Sequence, residues 1–174
     1  ALFSVTGPPS FLGDPERNTA VMLQDQINKA GGINGRPLKV IVYDTQGDAT
    51  KAVQAANRLI KEDKVSAIIG PSTPGETMAV IPVVEASGIP LISCAAGIKI
   101  TEPVKKWVFK TAQNDSLAVE RIYEYLRKQN IYNIAILTVS DGFGSSGREQ
   151  LKLKARGYGI NIISDETYGP KDTN

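Results

Sequence analysis

A short loop in which two hydroxyl side chains stand among glycines is the part of this sequence best suited to bind a ligand. Residues 70–77 read Gly-Pro-Ser-Thr-Pro-Gly-Glu-Thr and lie between an apolar segment and a segment with helical periodicity. Ser72, Thr73 and several backbone N–H groups would therefore surround a helix N-terminus, which favours an anion such as a carboxylate or a phosphate. Ser72 and Thr73 could equally serve only as caps of that helix.

The sequence contains no complete nucleotide-binding motif. Residues 6–13, TGPPSFLG, do not match G-x-G-x-x-G, and their two prolines have no N–H to offer a pyrophosphate. Asp44 stands at the end of the second predicted strand, where a ribose-binding acid would lie, but the glycines that should accompany it are missing. Residues 140–147, SDGFGSSG, lack the lysine of a phosphate-binding loop. A Rossmann-type enzyme is therefore the least favoured interpretation.

Four further side chains could take part in binding or catalysis. Cys94 directly follows a predicted strand, but a chain without histidine has no usual base to activate it, so a packed thiol is favoured over a nucleophile. Asp44 and Asp48 could form an acid/base pair, although Asp48 could instead cap a helix. Phe143 is flanked by glycines at the end of a strand and is expected in a ligand cleft.

The composition excludes several classes of function. The chain has 174 residues with 20 basic and 18 acidic side chains, so its net charge of +2 gives no electrostatic footprint for nucleic acid. One cysteine and no histidine exclude an internal disulfide, multi-cysteine zinc sites, histidine metal sites and Ser-His-Asp triads. No metal or cofactor is predicted. Apolar runs of only a few residues predict a globular core and no membrane span.

Strand-like and helix-like segments alternate along the chain. Strands are predicted at residues 2–5, 38–43, 67–69, 90–93, 107–110, 134–138 and 160–163. Helices are predicted to begin at Asp14-Pro15, at Asp48 or Thr50, and near residues 75, 115 and 145. Trp107 and Phe109 lie in one of the strands and are expected in the core. This alternation predicts an α/β fold with parallel, doubly wound sheets whose apolar strands are covered on both faces.

The regular alternation is interrupted once. Residues 93–107 contain no clear helix, and the next well-defined helix begins near residue 115. We therefore predict a first lobe at residues 1–114 and the start of a second lobe at residues 115–174. Ligands of open α/β sheets bind at the carboxyl ends of the strands, so the loops that follow the strands are the expected site.

Several short segments occur in a characteristic order. They are ALFSVTGP at 1–8, NKAGGING at 28–35, YDT at 43–45, AV to NRLI at 52–60, IGPS at 69–72, IPLIS at 89–93, FKT at 109–111 and DGFG at 141–144. In this order the segments resemble the bacterial extracellular solute-binding proteins of the leucine/isoleucine/valine-binding type. The resemblance covers essentially the whole chain.

The resemblance implies the type I periplasmic-binding-protein fold, in which two Rossmann-like lobes joined by hinge strands close over one small ligand. It implies a binding component that delivers ligand to the membrane permease of an ABC importer and catalyses nothing. The implied location is the periplasm or the cell exterior, with or without a lipid anchor, and no signal peptide is recognised in this chain. A ligand-sensing receptor or regulator domain of the same fold is the alternative.

Carried over position by position, the resemblance places ligand contacts at Leu12, Pro74, Ala95 and Gly97, with Phe143 from the second lobe. The amino-acid-binding pattern commonly has serine where Pro74 stands and threonine where Gly97 stands, and both hold the charged groups of the ligand. Pro74 offers neither a hydroxyl nor an N–H.

Other groups of the same loop are expected to replace those lost contacts, namely Ser72, Thr73 and the N–H groups of Gly75 and Glu76. A branched-chain or other aliphatic amino acid is the expected ligand. A carboxylate without an α-amino group, with an aromatic ring near Phe143, is the alternative.

The resemblance also implies that this chain is shorter than a family member at both ends, with an unfinished second lobe. We therefore expect weaker ligand binding than in a complete protein. We also expect self-association through the inner faces around Ile134, Ile136, Ile160 and Ile162.

Overall fold

Parallel strands alternate with helices along the chain. A computed structural model describes residues 1–170 and residue 172. The strands are β1 (Leu2–Phe3), β2 (Tyr43–Asp44), β3 (Ile68–Ile69), β4 (Leu91–Ser93), β5 (Val108–Lys110), β6 (Asn133–Val139) and β7 (Asn161–Tyr168). The α-helices are α1 (Ser10–Lys29), α2 (Ala49–Lys61), α3 (Pro74–Ser87), α4 (Asp115–Lys128) and α5 (Gly142–Ala155).

The strands form three groups, and every pairing between them is parallel. Strand β1 pairs with β2, β4 lies between β3 and β5, and β6 pairs with β7. In the middle group, Leu91 of β4 stands opposite Ile68 on one side and Val108 on the other. Parallel neighbours require crossover connections, and helices supply them here. The predicted α/β class with parallel sheets is confirmed.

Residues 1–114, which we call the N-terminal region, have a core between two helices and the strands. Helix α2 places Ala52, Ala56 and Leu59 on one face, because residues three and four apart share a side of a helix. The side chain of Asp48 begins this helix by accepting a hydrogen bond from the N–H of Lys51 at 2.8 Å. The face packs against α3 and the strands, in a cluster completed by Leu2, Ile68, Val80, Ile81, Val84, Leu91, Ala95, Ile100 and Val108.

Residues 115–170, which we call the C-terminal region, have a smaller core. Four residues of this core are buried: Val119, Tyr123, Ala155 and Ile160. The ring of Tyr123 lies 5.7 Å from that of Tyr158, and its hydroxyl donates to the Leu151 carbonyl at 2.8 Å. These contacts join α4 to the end of α5. No helix among residues 1–170 combines the length and the apolar character needed to cross a bilayer.

Helix α1 begins four residues before the predicted start at Asp14. It starts at Ser10 and contains Pro15 in its second turn. The extra turn rests directly on the end of β1, where a Cβ added to Gly13 would lie 2.3 Å from the carbonyl carbon of Ser4. This close backbone contact is a tertiary feature, and a Pro-based start signal does not reveal it.

The exposed apolar side chains differ from those predicted. The four isoleucines expected on an open face are not exposed: Ile134, Ile160 and Ile162 pack in or against the core of the C-terminal region, and Ile136 is buried. Because side chains alternate across a strand, the neighbours Leu137 and Ile163 point the other way and are 68% and 66% exposed. Phe109, expected in the core, is 53% exposed, whereas Trp107 is half-buried.

Candidate functional site

The loop that follows β3 is fixed by hydrogen bonds to buried residues of other elements. Ser72 is almost completely buried. Its hydroxyl donates to a carboxylate oxygen of Glu16 and accepts a hydrogen bond from the N–H of Ser4 at 3.0 Å. Glu16 lies on α1, one turn after Leu12. The hydroxyl of Ser72 is therefore engaged by β1 and α1 in this structure.

Thr73 caps α3, as the alternative interpretation of this loop expected. Its Oγ1 accepts a hydrogen bond from the N–H of Glu76 at 3.4 Å and donates to the Glu76 carboxylate at 2.6 Å. Glu76 is 1% exposed, and its carboxylate also accepts from the Ser4 hydroxyl at 2.9 Å. Pro74 has no N–H, so the first donor of α3 is the N–H of exposed Gly75.

Buried hydroxyls continue this arrangement along the carboxyl ends of the strands. Ser4 and Thr45 lie 3.3 Å apart between their hydroxyl oxygens, and Thr77 and Ser93 lie 2.8 Å apart. All four side chains are fully buried. The Ser93 hydroxyl also accepts from the N–H of Ala95 at 3.1 Å. Buried polar groups satisfied in this way fix one local structure. The four hydroxyl residues therefore form a preformed layer beneath the loops, which we call the floor.

Lys110 of β5 holds the loop that carries Ala95 and Gly97. Its Nζ donates to the carbonyl oxygens of Ala96 at 2.8 Å and of Gly97 at 3.3 Å. Burial lowers the pKa of the Lys110 ammonium, although nearby carboxylates oppose this effect. Gly97 packs against the loop after β3, because a Cβ added to it would lie 3.2 Å from the Cβ of Pro74.

The start of α5 faces the start of α3. Asp141 caps α5 by accepting from the N–H of Gly144 at 2.8 Å. Gly142 approaches α3 so closely that an added Cβ would lie 2.8 Å from the backbone nitrogen of Gly75. The two helices therefore begin on opposite sides of one narrow space. Phe143, in the first turn of α5, is 57% exposed.

A cleft of about 250 Å³ lies beside this contact. Three of the predicted ligand residues line it, namely Pro74, Gly75 and Gly97. An ion pair of 2.5 Å between Lys99 and Glu149 joins its two walls. The remaining lining residues are Met78 and Ile100 on one wall and Gly142, Ser145 and Ser146 on the other.

The other five predicted ligand residues do not line this cleft. Ser72 and Ala95 are buried, Thr73 is half-buried in its cap, and Leu12 and Phe143 are exposed. The structure therefore brings together the part of the predicted site that lies between α3, the loop after β4 and α5.

The single thiol is poorly suited to act as a nucleophile. Burial raises the pKa of Cys94 to about 11, and the nearby charge of Glu16 adds to the effect. Burial also raises the pKa of the Glu16 carboxyl, where the hydrogen bond from Ser72 opposes it and the charge of Glu76 reinforces it.

The proposed acid/base pair has structural roles instead. Asp44 accepts hydrogen bonds from the Thr6 hydroxyl at 2.6 Å and from the N–H groups of Thr6 and Gln46 at 3.2 and 3.0 Å. Burial acts to raise the pKa of the Asp44 carboxyl, but these hydrogen bonds together hold it below its usual value. Asp48 caps α2, as its alternative interpretation predicted. The two carboxylates thus fix a turn and a helix start.

The side chains of three residues that shape the site were not assigned a role from the sequence. Glu76 had a usable signal, since Thr73-Pro74-Gly75-Glu76 fits the S/T-x-x-E capping pattern. Glu16 and Lys110 had none, because their partners are 56 and 13 or 14 residues away in the chain.

The chain is similar to several characterised binding proteins. It is 30% identical to the leucine-, isoleucine-, valine-, threonine- and alanine-binding protein of Pseudomonas aeruginosa over 98% of this chain and 46% of that protein. Its structure matches the branched-chain amino acid transporter substrate-binding protein of Streptococcus pneumoniae in complex with isoleucine, with a TM-score of 0.88, 28% identity and coverage of 99% of this chain and 49% of that one.

A second structural relative is the type 1 periplasmic binding protein of Bordetella pertussis, with a TM-score of 0.91, 26% identity and coverage of 99% of this chain and 49% of that one. The chain spans about half the length of the relatives that it matches. Residues 1–174 as a whole match one protein family, described as periplasmic binding protein. With its parallel α/β fold and a cleft at the strand ends, the chain belongs to the periplasmic binding protein family.

Proposed function

We propose that this chain forms part of the solute-binding component of an ABC importer and binds a small ligand in the cleft between α3 and α5. The observation that carries the proposal is the convergence of two helix N-termini, at Gly75 and Gly142, on one space. Unpaired N–H groups at helix starts bind carboxylates. The Streptococcus relative was solved with isoleucine, which supports a small amino acid as the kind of ligand.

A binding role without catalysis fits the chemistry of the site. The titratable groups first considered for catalysis are engaged elsewhere, since Asp44 fixes a turn, Asp48 caps a helix and Cys94 has a raised pKa. The implied partner is the membrane permease of the importer, and the implied location is the periplasm or the cell exterior, where the family relatives act. A ligand-sensing receptor of the same fold is the alternative role.

The favoured ligand is a branched-chain or other aliphatic amino acid, and the competing candidate is a carboxylate without the amine. A thermal-shift screen against amino acids and small carboxylates tests this directly. A ligand present at 100 times its dissociation constant should stabilise the protein by about 2.7 kcal/mol. Stabilisation by carboxylates and by no amino acid would replace the favoured ligand with the competing one.

We also propose that a first ligand-binding lobe spans residues 1–114 and that residues 115–174 begin a second. A ligand held by both lobes loses contacts when the second is incomplete. The 174-residue chain should therefore bind leucine more weakly than a chimera in which the remaining part of the Pseudomonas relative follows it. Calorimetry on both proteins tests this, and equal affinities would contradict it.

Self-association of the chain is the last part of the proposal. We expect the chains to associate through Leu137 and Ile163, which are mostly exposed and lie on neighbouring strands. Light scattering of the wild type and of the variant Leu137→Lys would test it. A monomer at high concentration in both proteins would contradict it.

A further inference from the structure

We propose that Met78 is a specificity-determining residue of the cleft between α3 and α5, where its side chain sets the size of the apolar group that a ligand can place there. The inference rests on the proposed function, because it concerns the ligand of the same cleft. It adds to that function a residue that selects among ligands of one charge type by the volume of their side chains.

The surface that the cleft offers to a ligand side chain is mainly apolar. Its large apolar groups come from Pro74, Met78 and Ile100. The charged side chains of the lining, Lys99 and Glu149, pair with each other, and the hydroxyl of Ser146 donates to Asp115. Discrimination between ligand side chains in this cleft therefore depends on shape and apolar contact.

Met78 lies one turn after the start of α3, on the same side of the helix as Gly75. Residues three apart share a face of a helix, and three residues rise about 4.5 Å along its axis. Long side chains on a helix lean toward its N-terminus and cover the preceding turn. The Met78 side chain therefore extends toward the N–H of Gly75, where the proposed function places a carboxylate. An apolar group attached close to that carboxylate comes within reach of Met78.

Met78 is also the large apolar side chain of the lining that is free to adjust. Ile100 is fully buried and Pro74 is a buried ring, so the packing around them holds both in place. Met78 is 42% exposed, and methionine is an unbranched side chain that adapts its shape. Gly97 and Gly142 add no side chain to the cleft. The room for an apolar group thus depends on the length and conformation of Met78.

Calorimetry with leucine and phenylalanine, two amino acids that differ in side-chain size, tests this role. Met78→Ala removes the side chain beyond Cβ and should raise the phenylalanine-to-leucine affinity ratio about tenfold, since a single methylene in an apolar pocket changes discrimination by that order. Met78→Leu, which keeps an apolar side chain of similar volume, should retain the wild-type ratio. An unchanged ratio in Met78→Ala would overturn the inference.

The matched control is Met22→Ala. Met22 is the other methionine of the chain and is 50% exposed, but it lies on α1 and does not line the cleft. Its substitution should leave the phenylalanine-to-leucine ratio unchanged. A rise of the ratio in Met22→Ala equal to that in Met78→Ala would also overturn the inference, because the effect would then not come from the cleft.

A second measurement uses the wild-type protein and does not depend on the folding of a variant. Dilute hydrogen peroxide transfers one oxygen atom to a methionine sulfur, which gives the sulfoxide and water. Saturating leucine should slow the oxidation of Met78 but not that of Met22, as measured by mass spectrometry of the two peptides. Unchanged oxidation of Met78 in protein that binds leucine would overturn the inference and leave the proposed function in place. Binding of neither amino acid by calorimetry would overturn the aliphatic amino acid proposal and the inference with it.

Discussion

Helices α3 and α5 both begin at the cleft, but the protein anchors their first turns in different ways. The start of α3 is joined through Thr73, Glu76 and Ser4 to the ends of other strands, inside the buried floor. The start of α5 has a local cap, in which exposed Asp141 accepts from Gly144 three residues on. The cores differ in the same direction, with twelve buried residues around α2 and α3 and four around α4 and α5.

This difference shows that the two walls of the cleft are held in place by different kinds of contact. The N-terminal wall is fixed by buried hydrogen bonds that exist without a ligand, so its shape is preorganised. The C-terminal wall rests on its own smaller core, with Gly144 against Val139, and meets the other wall through contacts across the cleft, namely Gly142 against Gly75 and Lys99 with Glu149. Substitutions in or beneath the floor should therefore change the free energy of unfolding. Substitutions at the contacts across the cleft should change ligand affinity.

The largest expected effects come from the glycines on which a helix rests against a strand. A Cβ would lie 2.3 Å from the carbonyl carbon of Ser4 in Gly13→Ala and 1.9 Å from the carbonyl oxygen of Val139 in Gly144→Ala. Each substitution should destabilise its region by about 3 kcal/mol, because backbone cannot give way as a flexible side chain does. Thermal unfolding measures this.

The matched control for these two variants is Gly147→Ala, in the same helix as Gly144 but with open space where the Cβ would stand. It should be neutral or stabilising by up to about 1 kcal/mol. A mild effect of Gly144→Ala, equal to that of the control, would show that the C-terminal region adapts more readily than its packing indicates.

The rate at which Cys94 is labelled tests the rigidity of the floor, because this residue directly follows Ser93. The pKa of Cys94 rises from 9.0 to about 11, so the reactive thiolate is about a hundredfold scarcer at pH 8 than in an unfolded chain. Labelling of native protein with a disulfide reagent should be slower by at least that factor, with the protein in denaturant as the reference. Equal rates would mean that the floor opens readily, contrary to the comparison.

Contact across the cleft should show in ligand affinity. Gly142→Ala places a Cβ 2.8 Å from the backbone nitrogen of Gly75, which keeps the two helix starts apart. We expect about tenfold weaker binding of leucine by calorimetry, because displaced walls hold the ligand less closely. The stability should change little, and Gly147→Ala should bind leucine as the wild type does. A large loss of stability in Gly142→Ala, but not in Gly147→Ala, would show that this contact is needed for folding.

The smallest effect concerns the ion pair between the walls. Lys99 and Glu149 are 61% and 51% exposed, and exposed pairs contribute at most about 1 kcal/mol. A double-mutant cycle with Lys99→Met and Glu149→Gln should give a coupling energy below that value, and the coupling should vanish in high salt. Coupling that survives 1 M salt would mark the pair as a buried element of the closed cleft.

Local signals in the sequence were sufficient for most of the fold. Asp48, one of the two predicted starts of α2, is its cap, because caps are short-range features. The start of α1 was placed too late, since it depends on the contact between Gly13 and β1. Strand β2 is shorter than predicted because β1 offers only Leu2 and Phe3 for pairing.

The site was less predictable than the fold. Pro74 and Gly97, two of the five ligand contacts that the resemblance implied, line the cleft, and their place in loops after strands is a topological property. The partners of Ser72 and Thr73 could not be read in the same way. Whether a hydroxyl faces a ligand or a carboxylate of its own protein depends on side chains such as Glu16, which lies 56 residues away in the chain.

Pro74 and Gly97, the two positions that depart from the amino-acid-binding pattern, lie against each other. The backbone of Gly97 has φ −54° and ψ 130°, which any residue adopts, so contacts with Pro74 and Ile100 are what limit a side chain there. A Cβ at position 97 would lie 3.2 Å from the Cβ of Pro74, which a serine at position 74 would keep, and 3.7 Å from the ring Cγ, which the serine would remove. A side chain at position 97 therefore requires the two loops to move apart by a few tenths of an ångström, whether proline or serine stands at position 74.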